Sequence, residues 1–172
     1  MNRAAPNQEH RWEHLARLVA EPGCVDRFAA SAPTRRCEDF LELAWPSVEA
    51  HDVSWIGFYL EDPTAPETRR LTLGPSRGGP ACSPIGLHGA CGQAFKAGRP
   101  LVVKDVRELG EDYIACDPRD RSELVVPITS EARVIGVLDV DSHQVNAFSQ
   151  RDLEALLPLM ALLGLLDPPL QP

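Results

Sequence analysis

The sequence predicts an α+β domain with a central antiparallel sheet flanked by N- and C-terminal helices. Helical periodicity falls mainly at the two ends of the chain, with one short stretch in the middle. The strand-like runs between are short, and two adjacent pairs are joined by turn-sized connections in hairpin order. A hydrophobic fraction of 44% in 172 residues supports one core, so a single domain over residues 1–172 is expected.

Residues 1–10 are polar and expected to be flexible. Trp12, Leu15, Ala16, Leu18 and Val19 predict a short amphipathic helix that Pro22-Gly23 stops. A second helix is predicted from Thr34, with Cys37, Phe40, Leu41 and Ala44 at helical spacing and its end at Pro46. Val53 to Leu60 reads as a strand, with Trp55, Gly57 and Tyr59 on one face and Ile56, Phe58 and Leu60 on the other. Arg69 to Leu73 is the next strand, after a turn over 61–68. A Gly- and Pro-rich loop follows over 74–80.

Gly89 to Ala97 predicts a short helix, and Pro100 to Val103 a short strand. Asp105 to Arg121 has no clean period and reads as a long loop, with a helical turn near Asp117-Pro118. Leu124 to Ile128 and Arg133 to Val140 form a predicted antiparallel hairpin. Ser149 suits an N-cap with Asp152 at N3, opening a helix that carries Leu153, Leu156, Leu157 and Met160, and Pro158 is expected to kink it.

The net charge of -8, with scattered Lys and Arg, argues against nucleic acid and anionic membranes as partners. No apolar run has transmembrane length, and the first ten residues lack the pattern of a signal peptide. A cytoplasmic location is therefore expected, where thiols rest reduced. The five cysteines are an odd number, so at least one is free.

Cys82, Cys91 and Cys116 sit in polar or Gly-rich settings, unlike Cys37, whose helical register suits a core. Their spacings of nine and 25 residues match no zinc-type pair, so no metal is expected. On the last strand a period of two puts Ile135, Val137, Asp139 and Asp141 on one face. An acid inside an apolar run such as Asp139 needs a partner or a ligand. Asp141 has a second reading, as a strand end rising into solvent. Glu123 begins the preceding strand and is placed either near Asp139 and Asp141 or in an ion pair with Arg119, Arg121 or Arg133. Three adjacent carboxylates would bind a cation or raise a carboxyl pKa. Trp55 and Tyr59 form either core or the wall of a cavity suited to a methyl or thioether group.

These residues resemble the free methionine-(R)-sulfoxide reductases, enzymes built on a GAF domain. The matching pieces are Trp55 to Leu60, Gly79 to Cys82, Cys91-Gly92, Ile114 to Asp117, Arg121 to Pro127 and Gly136 to Ser142, and the likeness extends over about 50–160. Departures lie before residue 50, where 28–46 does not match the family's N-terminal helices, and in the acidic loop 108–113. The resemblance implies a GAF-like fold, with Cys116 as the catalytic cysteine, Cys82 as its main resolving partner and Cys91 as a third cysteine of open role. It implies that Glu123, Asp139 and Asp141 surround the sulfoxide and ammonium groups and that Trp55 and Tyr59 wall the methyl group. It also implies reduction of free L-methionine-(R)-sulfoxide through a cysteine sulfenic acid and an intramolecular disulfide, recycling by thioredoxin with no bound cofactor, and a homodimer. The alternative is a GAF sensor module that binds a small molecule without catalysis.

Overall fold

The computed structural model of the chain describes residues 10–113 and 116–170. Three helices open the described chain: α1 (Glu13–Val19), α2 (Cys24–Ala29) and α3 (Pro33–Glu49). Strands β1 (Trp55–Glu61) and β2 (Leu71–Gly78) follow, then helix α4 (Gly89–Ala97) and strand β3 (Leu101–Val103). Strands β4 (Ser122–Ser130) and β5 (Arg133–Ser142) and helix α5 (Gln150–Leu162) complete the elements. The five strands form one antiparallel sheet in the order β2-β1-β5-β4-β3. This is the predicted α+β architecture.

The two faces of the sheet carry separate cores, because strand side chains alternate. One face presents Ile56, Phe58, Leu124, Val126, Ile128, Leu138 and Val140 to α1, α2, α3 and α5. The other presents Trp55, Tyr59, Val125 and Val137 to Ala90, Cys91 and Ala94 of α4 and to the loops around it. The face division expected for β1 is therefore the division between the two cores.

Several boundaries differ from expectation. Helix α2 packs Cys24 and Phe28 into the core, and its six residues are too few for a clear period. Helix α3 runs through Pro46 to Glu49. Proline costs one backbone hydrogen bond there, but Ser47 and Val48 beyond it are buried and hold the last turn in place. Strand β2 extends through Gly74-Pro75-Ser76, which read as loop. It is an edge strand, and its register against β1 shifts between Gly57 and Tyr59, so a proline is tolerated. The helical turns of the long loop lie at 106–112 and not at Asp117-Pro118.

Asp152 of α5 ties the start of that helix to the residues before α1. Asp152 Oδ2 accepts the Ser149 N–H at 2.9 Å, and Asp152 Oδ1 accepts the Trp12 indole N–H at 3.2 Å. Pro158 lies within α5 without ending it. His10 is half-buried, 3.5 Å from Asp152. Residues 1–9 lie outside the described part. Among the described residues no helix is long and apolar enough to cross a membrane.

Candidate active site

The sheet register builds the site. Antiparallel pairing sets Trp55 of β1 opposite Asp141 of β5, and Gly57 opposite Asp139. On the other side of β5, Glu123 of β4 pairs with Asp141 and Val125 with Asp139. Trp55, Asp141 and Glu123 thus form one rung across three strands, with Asp139 one step further along on the same face. Tyr59 lies beyond Gly57, its ring centroid 5.8 Å from that of Trp55 and tilted by 39°.

These side chains floor a recess. Trp55, Tyr59, Cys91, Cys116, Glu123, Asp139 and Asp141 line it, together with Pro80, Ala81, Ile85, Ala90, Tyr113 and Asp120. Cys82, the neighbour of Ala81, is joined to Cys116 of this lining by a disulfide with a Cα–Cα distance of 5.3 Å, within the ordinary range. Every residue singled out for the site in the sequence is therefore brought to one place. Ile114 and Ala115, part of the motif around Cys116, lie outside the described residues.

Each cysteine is held by a different device. Cys82 lies in the β2–α4 loop, where its carbonyl accepts the Tyr59 hydroxyl at 2.9 Å. Cys91 sits in the first turn of α4, and its thiol donates to Asp139 Oδ2 at 3.0 Å. Cys116 lies on the loop that leads into β4. The next residue, Asp117, accepts the Arg119 backbone N–H and a two-nitrogen contact from the Arg119 guanidinium, and stands 3.3 Å from His143 Nε2. Asp120 accepts the Ser54 hydroxyl at 3.0 Å and lies 3.6 Å from His143 Nε2. The Cys116 loop is thereby tied to the start of β1 and to the end of β5. Cys24 and Cys37 are buried in the helical layer, away from the recess.

Burial sets the electrostatics. It pushes the carboxyls of Glu123, Asp139 and Asp141 above the ordinary range. Their mutual repulsion raises Glu123 and Asp141 further, while Asp120 adds to the rise at all three. The Cys91 hydrogen bond works against this at Asp139 by favouring the ionised form. Asp139 Oδ1 is buried without a hydrogen-bond partner. The ion pairs considered for Glu123 are taken elsewhere: Arg119 pairs with Asp117, Arg121 with Asp105 and Arg133 with Glu61. One oxygen from each of Glu123, Asp139 and Asp141 lies within 4.8 Å of the others, close enough to grip one cationic group.

Sequence reasoning missed Asp120 and Tyr113 as lining residues. Asp120 carried a usable signal, an acid between the Cys116 motif and Glu123, but the loop offered no period to aim it. Tyr113 is half-buried, and burial first, then the Glu123 charge, raises its hydroxyl pKa.

Comparison with known proteins places the fold and the motifs together. The GAF domain family model matches residues 33–166. The free methionine-R-sulfoxide reductase of Saccharomyces cerevisiae is 38% identical over 126 residues, which is 71% of this chain and 68% of that protein. The chain belongs to the GAF family, in its free methionine-(R)-sulfoxide reductase branch. Another reductase of this branch, from Escherichia coli, is 39% identical over 113 residues, 64% of each protein. The solved reductase of Neisseria meningitidis, in complex with its substrate, is 30% identical with a TM-score of 0.75, covering 95% of this chain and 94% of that one. The GAF match starts at residue 33, so α3 belongs to the shared fold.

Proposed function

We propose that the protein reduces free L-methionine-(R)-sulfoxide to methionine. The observation that carries the reading is the Cys82–Cys116 pair at the edge of a recess with an aromatic wall, two buried carboxyls (Glu123 and Asp139) and the half-buried Asp141. Each part answers to one part of the substrate. Trp55 and Tyr59 receive the S-methyl group, since sulfur and its methyl pack well on aromatic faces. Two carboxylates hold the α-ammonium, and the third, kept protonated by burial, donates a proton to the sulfoxide oxygen. An amide nitrogen carries no charge and no spare donors of that kind, so a peptide-bound residue is disfavoured.

The chemistry runs in two steps. The Cys116 thiolate attacks the sulfoxide sulfur, oxygen passes to Cys116 as a sulfenic acid, and methionine leaves. Cys82 then attacks the sulfenic sulfur, releasing water and forming the disulfide, which an external dithiol such as thioredoxin reduces by exchange. A cytoplasmic setting fits this cycle because it supplies the dithiol, and no bound cofactor is required. The neighbouring carboxylates oppose the Cys116 thiolate. The incoming ammonium offsets them, so the nucleophile is activated as substrate binds. In this reading the working unit is a homodimer.

The decisive experiment measures methionine release from free R-sulfoxide, free S-sulfoxide and a peptide-bound sulfoxide, with thioredoxin and its reductase present. Turnover confined to the free R-isomer is expected. Equal rates on the peptide would exclude an enclosed ammonium site, and binding without turnover would leave a sensor module.

A further inference from the structure

We propose that Cys91 is a positioning residue: its thiol orients the Asp139 carboxylate toward the recess and takes no part in the electron transfer. This rests on the reductase reading and assigns the third cysteine of the same site.

The electron count comes first. Reducing one sulfoxide takes two electrons, and converting two thiols to one disulfide supplies two. Cys82 and Cys116 are already joined, so they complete the balance without Cys91. Geometry comes second. Cys91 is buried in the first turn of α4, with Sγ 3.0 Å from Asp139 Oδ2. That bond occupies one carboxylate oxygen of a residue that lines the recess, and it leaves Oδ1 buried and without a hydrogen-bond partner of its own. A carboxylate fixed at one oxygen presents the other in a defined direction.

The chemical state of the thiol agrees. Burial first and the Asp139 charge second push the Cys91 thiol well above its ordinary value. It keeps its proton, which makes it a steady donor and a poor nucleophile. Its place in the sheet-facing turn of α4 is secured by Gly92, where a Cβ would come within 2.2 Å of the Leu87 carbonyl carbon.

The test compares Cys91→Ser, which keeps a donor, with Cys91→Ala, which removes it. Steady-state KM and kcat for free methionine-(R)-sulfoxide are measured, with thiol titration after one equivalent of substrate. Both variants are expected to lose two thiols per methionine released. Cys91→Ala is expected to raise KM by about tenfold, the scale of one hydrogen bond to a charged group, with a smaller effect on kcat. Cys91→Ser is expected to restore KM to within about threefold of wild type. If Cys91→Ala melts out of the assay range, Cys91→Val supplies the donor-free comparison at similar volume. A Cys91→Ser protein that folds yet turns over no better than Cys91→Ala overturns the proposal, and so does an unchanged KM in the donor-free variant. Wild type that turns over no sulfoxide at all sinks the reductase reading, and this proposal with it. Turnover by wild type with a dead Cys91→Ser sinks this proposal alone.

Discussion

Glu123 stands directly opposite Asp141 in the β4–β5 ladder, and both point into the recess from a buried floor. Like charges directly across a ladder destabilise a sheet. The fold tolerates the pair because burial and repulsion raise both carboxyl pKa values, so that protons relieve the charge.

That relief has a pH signature. A carboxyl raised on folding holds its proton in the native state where the unfolded chain has released it. The native state then binds more protons, and stability falls as pH rises from about 4 through the raised values. Glu123→Gln removes one such group and lowers the charge around Asp141. Relative to wild type, the variant is expected to gain on the order of 2 kcal/mol between about pH 5 and about pH 9. Urea melts of both proteins across this range check it. Parallel stability curves would mean that the pair is not held by protons.

Gly57 should prove intolerant for a reason of space. It lies between Trp55 and Tyr59 on the recess face, and an added Cβ would sit 2.5 Å from Trp55 Cζ2 and 2.7 Å from Ser76 Cβ. Gly57→Ala must displace the indole or spread β1 from β2. A stability loss of about 1–3 kcal/mol is expected from the overpacking. The greater effect should be on KM for the sulfoxide, because the methyl wall moves. Intrinsic tryptophan fluorescence with and without substrate reports on both changes.

Much of this arrangement was legible in the sequence because period-two patterns carry side-chain direction. Trp55, Gly57 and Tyr59 separate cleanly from Ile56 and Phe58, and the same period aims Asp139 and Asp141 together. Register is what the pattern leaves open. The pattern allows Glu123 a place beside the acids or with an arginine, and only the pairing of Glu123 with Asp141 decides it. Proline misled twice for one reason: its local cost is real, but tertiary burial at Pro46 and an edge position at Pro75 absorb it. The signal at Asp120 gives no direction, because its side chain is aimed by Ser54 and His143, which are distant in sequence.

Asp152 should matter to stability and not to the reaction. It is buried, caps α5 through the Ser149 N–H and accepts the Trp12 indole N–H, and it is absent from the recess. Asp152→Ala leaves the Ser149 N–H, the Ser149 hydroxyl and the Trp12 indole N–H without their acceptor, and Arg11 without its ion partner. A loss of about 2–4 kcal/mol is expected, with Tm lower by about 5–10 °C. KM and kcat well below the new Tm should match wild type. A wild-type Tm would show that water replaces the carboxylate without cost.

The two bonded cysteines should separate the two steps of the cycle. Cys116→Ser removes the nucleophile, and methionine release is expected to fall by more than about a thousandfold, because oxygen is far less nucleophilic than a thiolate at neutral pH. Cys82→Ser leaves the first step intact and blocks the second. Each Cys82→Ser protein should therefore release close to one methionine quickly and then stall as the Cys116 sulfenic acid, which dimedone traps as an adduct detectable by mass spectrometry. Tyr59 bears on the same step, since its hydroxyl holds the Cys82 carbonyl at 2.9 Å and so keeps the resolving segment beside Cys116. Full steady-state turnover by Cys82→Ser with thioredoxin would mean that the external dithiol or Cys91 attacks the sulfenic acid, and Cys82→Ser/Cys91→Ser would separate the two. A burst in Cys116→Ser would instead move the nucleophile to another recess cysteine.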